Sequence, residues 1–96
     1  MNVDNKFKIN KFREKVTKNV NKFDPWYLIE MGAPYDEYDK YIDNVVSFVI
    51  NEKPDLTLLE KRLYIIFETT EFDLATNLIS SLASNIYNFY IEDFGN

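Results

Sequence analysis

Apolar side chains recur at three- and four-residue intervals along most of this chain, which is the spacing of one face of an α-helix. The first such face predicts a helix from about Asn5 to Lys22. Its apolar positions are Ile9, Phe12, Val16, Val20 and Phe23. We expect this face to point into the core.

A short second helix is predicted directly after the first. Asp24 has the side chain of an N-cap, and Pro25 suits the first helical position because no amide hydrogen is needed there. The helix should end at Met31, since Gly32 readily takes the left-handed conformation that closes a helix. Pro34 then prevents its continuation.

A third helix is predicted from near Asp36 or Glu37 to about Glu52. Its apolar stripe consists of Tyr38, Ile42, Val45, Val46 and Val49. The run Val45-Val46 is β-branched, but the surrounding three- and four-residue spacing favours a helix over a strand. Pro54 should close this helix.

Two more helices follow, each with a predicted capping signal. Thr57 and Glu60 fit a capping box for the fourth helix, and Thr70 with Asp73 repeats the pattern for a fifth that reaches about Asp93. The stripe of the fourth helix is Leu59, Leu63, Ile66, Phe67 and Thr70. The fold class is therefore expected to be all-α, a compact bundle of four main helices plus one short helix, in a single domain over residues 1–96.

Composition limits the chemistry that this domain can perform. The 96 residues are 46% hydrophobic, enough to build one core, and they include neither cysteine nor histidine. Disulfides and thiolate metal sites are thus excluded, and acid-base catalysis would need a strongly shifted carboxylate, lysine or tyrosine. We expect no enzyme, no cofactor and no metal. Charged residues interrupt the N-terminus where a signal peptide would be apolar, so a cytoplasmic location is expected.

Charge is unevenly distributed along the chain. Residues 1–22 carry seven Lys or Arg against two acids, whereas residues 23–96 carry four against fourteen. An acidic body repels phosphate backbones, so we expect a basic protein as the partner and no nucleic acid. The lysines of the first helix are Lys8, Lys11, Lys15, Lys18 and Lys22. They either bind an anionic surface or face the acidic body of the same molecule; we favour the second interpretation and expect no membrane binding.

The fifth predicted helix carries no charge between Asp73 and Glu92. One of its faces is small and polar, formed by Asn77, Ser80, Ser81, Ser84 and Asn88. That face argues against a transmembrane helix. Two interpretations stay open: the face is the interface of a homodimer, or it bonds neighbouring parts of the same chain.

Residues 24–43 concentrate aromatic rings and carboxylates around a helix-breaking Gly-Ala-Pro. The strings Asp24-Pro25, Leu28, Met31-Gly32-Ala33-Pro34 and Asp36-Glu37-Tyr38-Asp39 resemble the signature of the YugE-like bacterial proteins, a family of small helical proteins of unknown function. The resemblance covers about residues 20–46, and the chain departs from it at Lys40-Tyr41. It implies a helical fold and a bacterial cytosolic setting, and it supplies no catalytic residues.

A partner-binding site is predicted in this same segment. Its members are Trp26, Tyr27, Glu30, Tyr35, Asp36, Glu37, Asp39, Tyr41 and Asp43. Aromatic rings provide contact area, and acids attract Lys or Arg of a partner. The competing interpretation is structural, with Asp24 and Asp36 as helix caps and Trp26 and Tyr38 in the core.

Together these patterns predict a small acidic protein-binding domain, and more narrowly an immunity or antitoxin-type inhibitor of a basic toxin. The alternative is a structural or regulatory homodimer built through the fifth helix. A metal site at Asp36, Asp39 and Asp43 is not expected, because no EF-hand loop surrounds these acids.

Overall fold

Residues 3–25, 28–34, 36–68 and 76–95 are described by the computed structural model. Four α-helices lie in these ranges: α1 Val3–Phe23, α2 Asp39–Glu52, α3 Leu56–Ile66 and α4 Thr76–Phe94. These ranges contain no strand. The prediction of an all-helical bundle is confirmed.

The four helices pack around one apolar core. α4 lies against α1 and α3, and α2 also lies against these two helices. The buried side chains are Phe12, Val16, Val20, Tyr38, Ile42, Val45, Val46, Val49, Leu59, Leu63, Phe67, Ile79, Leu82, Ala83 and Ile86. Burial of each larger side chain contributes about 1.5–3 kcal/mol. This set confirms the predicted core face of the third helix and contains Phe12, Val16 and Val20 of the first; Ile9 and Phe23 are partly buried and pack against it.

The predicted short helix is wrong. α1 ends at Phe23, and Asp24 takes a left-handed conformation with φ 49° that turns the chain out of the helix. In the described residues that follow, the Gly32 amide bonds the Ile29 carbonyl and the Ala33 amide bonds the Leu28 carbonyl, so the backbone forms tight turns instead of a helix. Gly32 does adopt the predicted positive φ, at 99°.

α2 begins later than predicted, at Asp39, because two turns precede it. The Glu37 amide bonds the Pro34 carbonyl, and the Asp39 amide bonds the Asp36 carbonyl. Tyr38 is the N-cap residue and makes no side-chain capping bond, so the predicted capping role of Asp36 is wrong. The helix ends at Glu52 as predicted.

α3 is capped by a residue that the sequence pattern did not single out. The Asp55 carboxylate accepts a hydrogen bond of 2.8 Å from the Leu58 amide, and Asp55 has the extended backbone of an N-cap. Thr57 lies inside the helix, so the capping box assigned to Thr57 and Glu60 is wrong. Aspartate and threonine are both good caps, and here Asp55 holds the cap position with an extended backbone at φ −78° and ψ 175°.

α4 occupies the predicted position of the last main helix and ends one residue beyond Asp93. The predicted cap at Thr70 and Asp73 lies outside the described residues. Among the described residues, no helix has the length and hydropathy needed to cross a lipid bilayer.

Candidate functional site

The segment between α1 and α2 is organised around the side chain of Asp24. The hydroxyl of Tyr38 donates to Asp24 Oδ1 at 2.6 Å. The backbone amides of Ile29 and Glu30 donate to Oδ1 and Oδ2 at 3.0 and 2.9 Å. One carboxylate thereby joins the end of α1, the turn after it and the residue that precedes α2.

This arrangement differs from the helix cap that the sequence predicts. An N-cap side chain bonds an amide two or three residues ahead, whereas Asp24 bonds amides five and six residues ahead. The left-handed backbone of Asp24 is tolerated because aspartate is among the residues that adopt this conformation most readily. Asp24 therefore acts as a clamp across a turn.

The pKa of Asp24 follows from these contacts. Burial would raise the pKa, since it penalises the charged carboxylate, but the hydrogen bonds from the Tyr38 hydroxyl and from the amides of Glu30, Ile29 and Leu28 together lower it below its ordinary value. A carboxylate that stays ionised and accepts several hydrogen bonds is a poor proton acceptor. Its role in this fold is structural.

Four of the predicted partner-binding residues surround this clamp and point to solvent. They are Glu30, Asp36, Glu37 and Asp39, and all four are exposed. We call this set the acidic turn. Because the Asp24 carboxylate bonds both the Glu30 amide and the Tyr38 hydroxyl, the two halves of the acidic turn are fixed to a common point.

Two other predicted residues are engaged within the molecule. Asp43 is exposed but pairs with the Arg13 guanidinium of α1. Tyr41 is half-buried, and its ring stacks on Phe67 with a centroid distance of 5.4 Å. Lys40 lies over the Tyr41 ring, 5.2 Å from its centroid. The structure thus places Tyr41 and Asp43 in intramolecular contacts on α2. The predicted residues Trp26, Tyr27 and Tyr35 lie outside the described residues.

One side of the acidic turn borders a groove between the end of α1 and the start of α2. The groove has a volume of about 700 Å³, and its walls include Asp36, Asp39, Lys18 and Lys22. Both signs of charge line it. The acidic turn is therefore bounded by lysines on its α1 side.

The basic helix α1 is partly neutralised by the acidic body. Lys15 Nζ lies 3.1 Å from Asp93 Oδ1, and the Asp93 side chain is only 5% exposed. Asp93 Oδ2 is buried and makes no hydrogen bond within the described residues. Neither this pair nor that of Arg13 with Asp43 could be found from local spacing, because the partners are 78 and 30 residues apart along the chain.

The small polar face of α4 is only partly exposed, and Asn85, which lies outside that face, bonds α1. Asn85 Nδ2 donates to Asn19 Oδ1 of α1 at 3.0 Å. Ser80 and Ser84 are half-buried, whereas Ser81 and Asn88 are exposed. Within the described ranges, no three acidic side chains come close enough together to hold a metal ion.

Comparisons with protein-family models, curated proteins and solved structures found no match to this chain. The resemblance to YugE-like proteins therefore stays a prediction. Its strings include both Asp24 and Tyr38, whose side chains bond each other. In this chain the two side chains join the end of α1 to the residue that precedes α2.

Proposed function

We propose that this chain is a protein-binding domain that recognises a basic protein through the acidic turn. The observation that carries the proposal is the exposure of Glu30, Asp36, Glu37 and Asp39 on a segment fixed by Asp24. Exposed carboxylates attract Lys and Arg of a partner and accelerate its association. Residues 23–96 carry fourteen acids against four basic residues, so the negative charge around the acidic turn also attracts a basic partner.

The fixed geometry of the turn favours binding. A loop that is already ordered loses little conformational entropy when a partner docks, so more of the contact energy appears as affinity. The Ile29 and Glu30 amides donate to the Asp24 carboxylate, and these bonds hold the Glu30 end of the acidic turn in the free chain.

An apolar contact lies beside the carboxylates. Met31 follows Glu30 directly and is 79% exposed, the largest exposed fraction among the large apolar side chains described. Methionine is flexible and polarisable, which suits it to contact surfaces. An apolar anchor rimmed by charged groups is typical of protein interfaces.

The narrower proposal is an immunity or antitoxin-type inhibitor of a basic toxin. Such an inhibitor must bind a cationic protein tightly and needs no catalytic groups of its own. The acidic turn and the net negative body supply the negative charge that attracts a cationic protein.

The experiment is affinity capture from a native lysate, followed by kinetic measurement of the captured protein. The test variant combines Asp36→Asn, Glu37→Gln and Asp39→Asn. The matched control removes three carboxylates elsewhere, with Glu52→Gln, Glu60→Gln and Glu92→Gln. We expect the test variant to slow association about tenfold at low salt, with the difference shrinking above about 0.5 M salt.

Unchanged association of the test variant would refute the role of the acidic turn. So would an equal loss in the control variant, because that result would mean only that net charge matters. Circular dichroism of each variant shows whether the helices are intact.

The homodimer through the last helix is the alternative proposal. Ser81 is exposed on α4 and available to a second chain, although Asn85 is already bonded to Asn19. Sedimentation velocity over a wide concentration range separates the two proposals. A dimer dissociated by Ser81→Glu would favour the alternative, and a monomer at all concentrations would remove it.

A further inference from the structure

A second groove lies between α2 and α3, away from the α1 side of the acidic turn. Its volume is about 500 Å³. The apolar residues that line it are Tyr41, Phe48, Ile65 and Ile66, and its basic residues are Lys40 and Arg62.

The apolar part of this groove is open to solvent. Ile65 is 66% exposed, and Leu58 on the same helix is 46% exposed. The two residues are seven positions apart, so they lie on one side of α3 with Arg62 between them. This exposed stripe continues the groove along the outer surface of α3.

The two cations of the groove are held by aromatic rings. The Arg62 guanidinium carbon lies 4.7 Å from the centroid of the Phe48 ring, and Lys40 Nζ lies 5.2 Å from that of Tyr41. A guanidinium over a ring keeps its N–H groups in its own plane, where they can donate to a carboxylate. The ring contacts thus position both cations before any partner arrives.

Charge separates this groove from the rest of the body. Residues 23–96 contain only four Lys or Arg, and two of these four line the groove. Among the described residues that line the groove, Glu68 is the one acid. A basic segment would meet two cations here, whereas an acidic one would find complementary charge.

We propose that the α2–α3 groove binds an acidic amphipathic helix of a partner protein. Apolar side chains of that helix would cover Phe48 and Ile65, and its carboxylates would pair with Arg62 and Lys40. An exposed, shallow surface of this kind suits a helix that brings anchors at three- and four-residue spacing. The inference goes beyond the acidic turn, because it concerns a different surface with the opposite charge preference.

The test uses two fluorescein-labelled synthetic helices of about 15 residues, long enough to form several turns. Both carry leucines on one face; one carries glutamates beside them, and the other carries lysines. Fluorescence anisotropy gives the affinity of each for the whole chain. Amide NMR shifts locate the site, and we expect them at Phe48, Arg62 and Ile65 with the glutamate peptide.

Arg62→Glu should lower the affinity for the glutamate peptide about tenfold, since the attraction between Arg62 and a glutamate of the peptide becomes a repulsion of similar size. The matched control is Lys61→Glu, which makes the same charge change on an exposed neighbour that does not line the groove. We expect the control to change the affinity less than about twofold. Ile65→Asn should also weaken binding, and thermal melts confirm that each variant is folded.

Three results would overturn the inference. The first is an absence of groove shifts with the glutamate peptide, and the second is an equal loss of affinity in Arg62→Glu and Lys61→Glu. The third is a shift of the groove amides with protein concentration alone, which would identify a second copy as the occupant. The variant that neutralises Asp36, Glu37 and Asp39 should bind the glutamate peptide with unchanged affinity. A result against binding at the acidic turn is therefore distinguishable from a result against binding in this groove.

Discussion

Replacing Asp24 by asparagine tests the clamp that fixes the acidic turn. Asparagine has nearly the same size and also tolerates the left-handed backbone at this position, so the substitution removes the charge with little added strain. It replaces two carboxylate oxygens by one carbonyl oxygen and one amide group. The Tyr38 hydroxyl and the two backbone amides then compete for a single good acceptor.

The expected cost can be worked from the three hydrogen bonds. A bond to a charged acceptor contributes about 1.5–3 kcal/mol where water is excluded. Tyr38 is fully buried, so its 2.6 Å bond should carry most of the effect, whereas water can replace the exposed bond to the Glu30 amide. We expect Asp24→Asn to lower the free energy of unfolding by about 2 kcal/mol, and the melting temperature by about 8–16 °C.

The pH dependence has a definite sign. The folded-state pKa of Asp24 is lowered, because its hydrogen bonds outweigh the effect of burial. The carboxylate therefore stabilises the fold fully above its unfolded-state pKa, and this stabilisation is lost as the pH falls through the folded-state value. The asparagine side chain of the variant does not titrate. The difference in the free energy of unfolding between wild type and Asp24→Asn should therefore stay constant from about pH 6 to 8 and shrink below about pH 4.

The assay is urea unfolding followed by far-UV circular dichroism at several pH values. Asp36→Asn is the matched control, since it removes a carboxylate from the same segment at an exposed position and should cost less than about 0.5 kcal/mol. A double-mutant cycle with Tyr38→Phe isolates the bond between the two side chains. Equal stabilities of Asp24→Asn and Asp36→Asn would refute the clamp. So would a stability difference between wild type and Asp24→Asn that is as large at low pH as at neutral pH.

Three further outcomes are expected from the same unfolding assay. Lys53→Gly should stabilise the fold by about 0.5–1 kcal/mol, since Lys53 caps α2 at φ 49° and glycine adopts this conformation without cost; a loss of stability would contradict this. Gly32→Ala should destabilise the fold by about 1–2 kcal/mol because Gly32 has a φ of 99°, although a methyl group there would contact nothing within 4 Å. An unchanged midpoint of urea unfolding would contradict this expectation. Lys15→Gln should lower the free energy of unfolding by about 2 kcal/mol, because it leaves the Asp93 carboxylate buried without its cation. Adding Asp93→Asn should restore part of this loss, and additive effects of the two substitutions would show that the pair is not coupled.

Local sequence pattern is enough to place most of the helices and the faces that they bury. Helical periodicity is a local property of the chain, so it could assign to the core Phe12, Val16 and Val20 on α1 and the stripe from Ile42 to Val49 on α2. The same stripe included Tyr38, the N-cap residue of α2. The end of α2 was also predictable, because Pro54 prevents continuation. The short helix after Asp24 was wrong because the left-handed backbone of Asp24 turns the chain out of the helix. The cap at Thr57 was wrong because Asp55, an equally suitable residue nearby, holds that position.

Which charges meet depends instead on how the helices pack. The acids of residues 24–43 look alike in the sequence, yet Asp24 bonds Tyr38, Asp43 pairs with Arg13, and Asp36 faces solvent. The Arg62 and Phe48 contact that shapes the α2–α3 groove likewise joins two helices. Spacing along one helix gives the direction of a side chain relative to that helix, but the element it will face is set by the packing of the whole core.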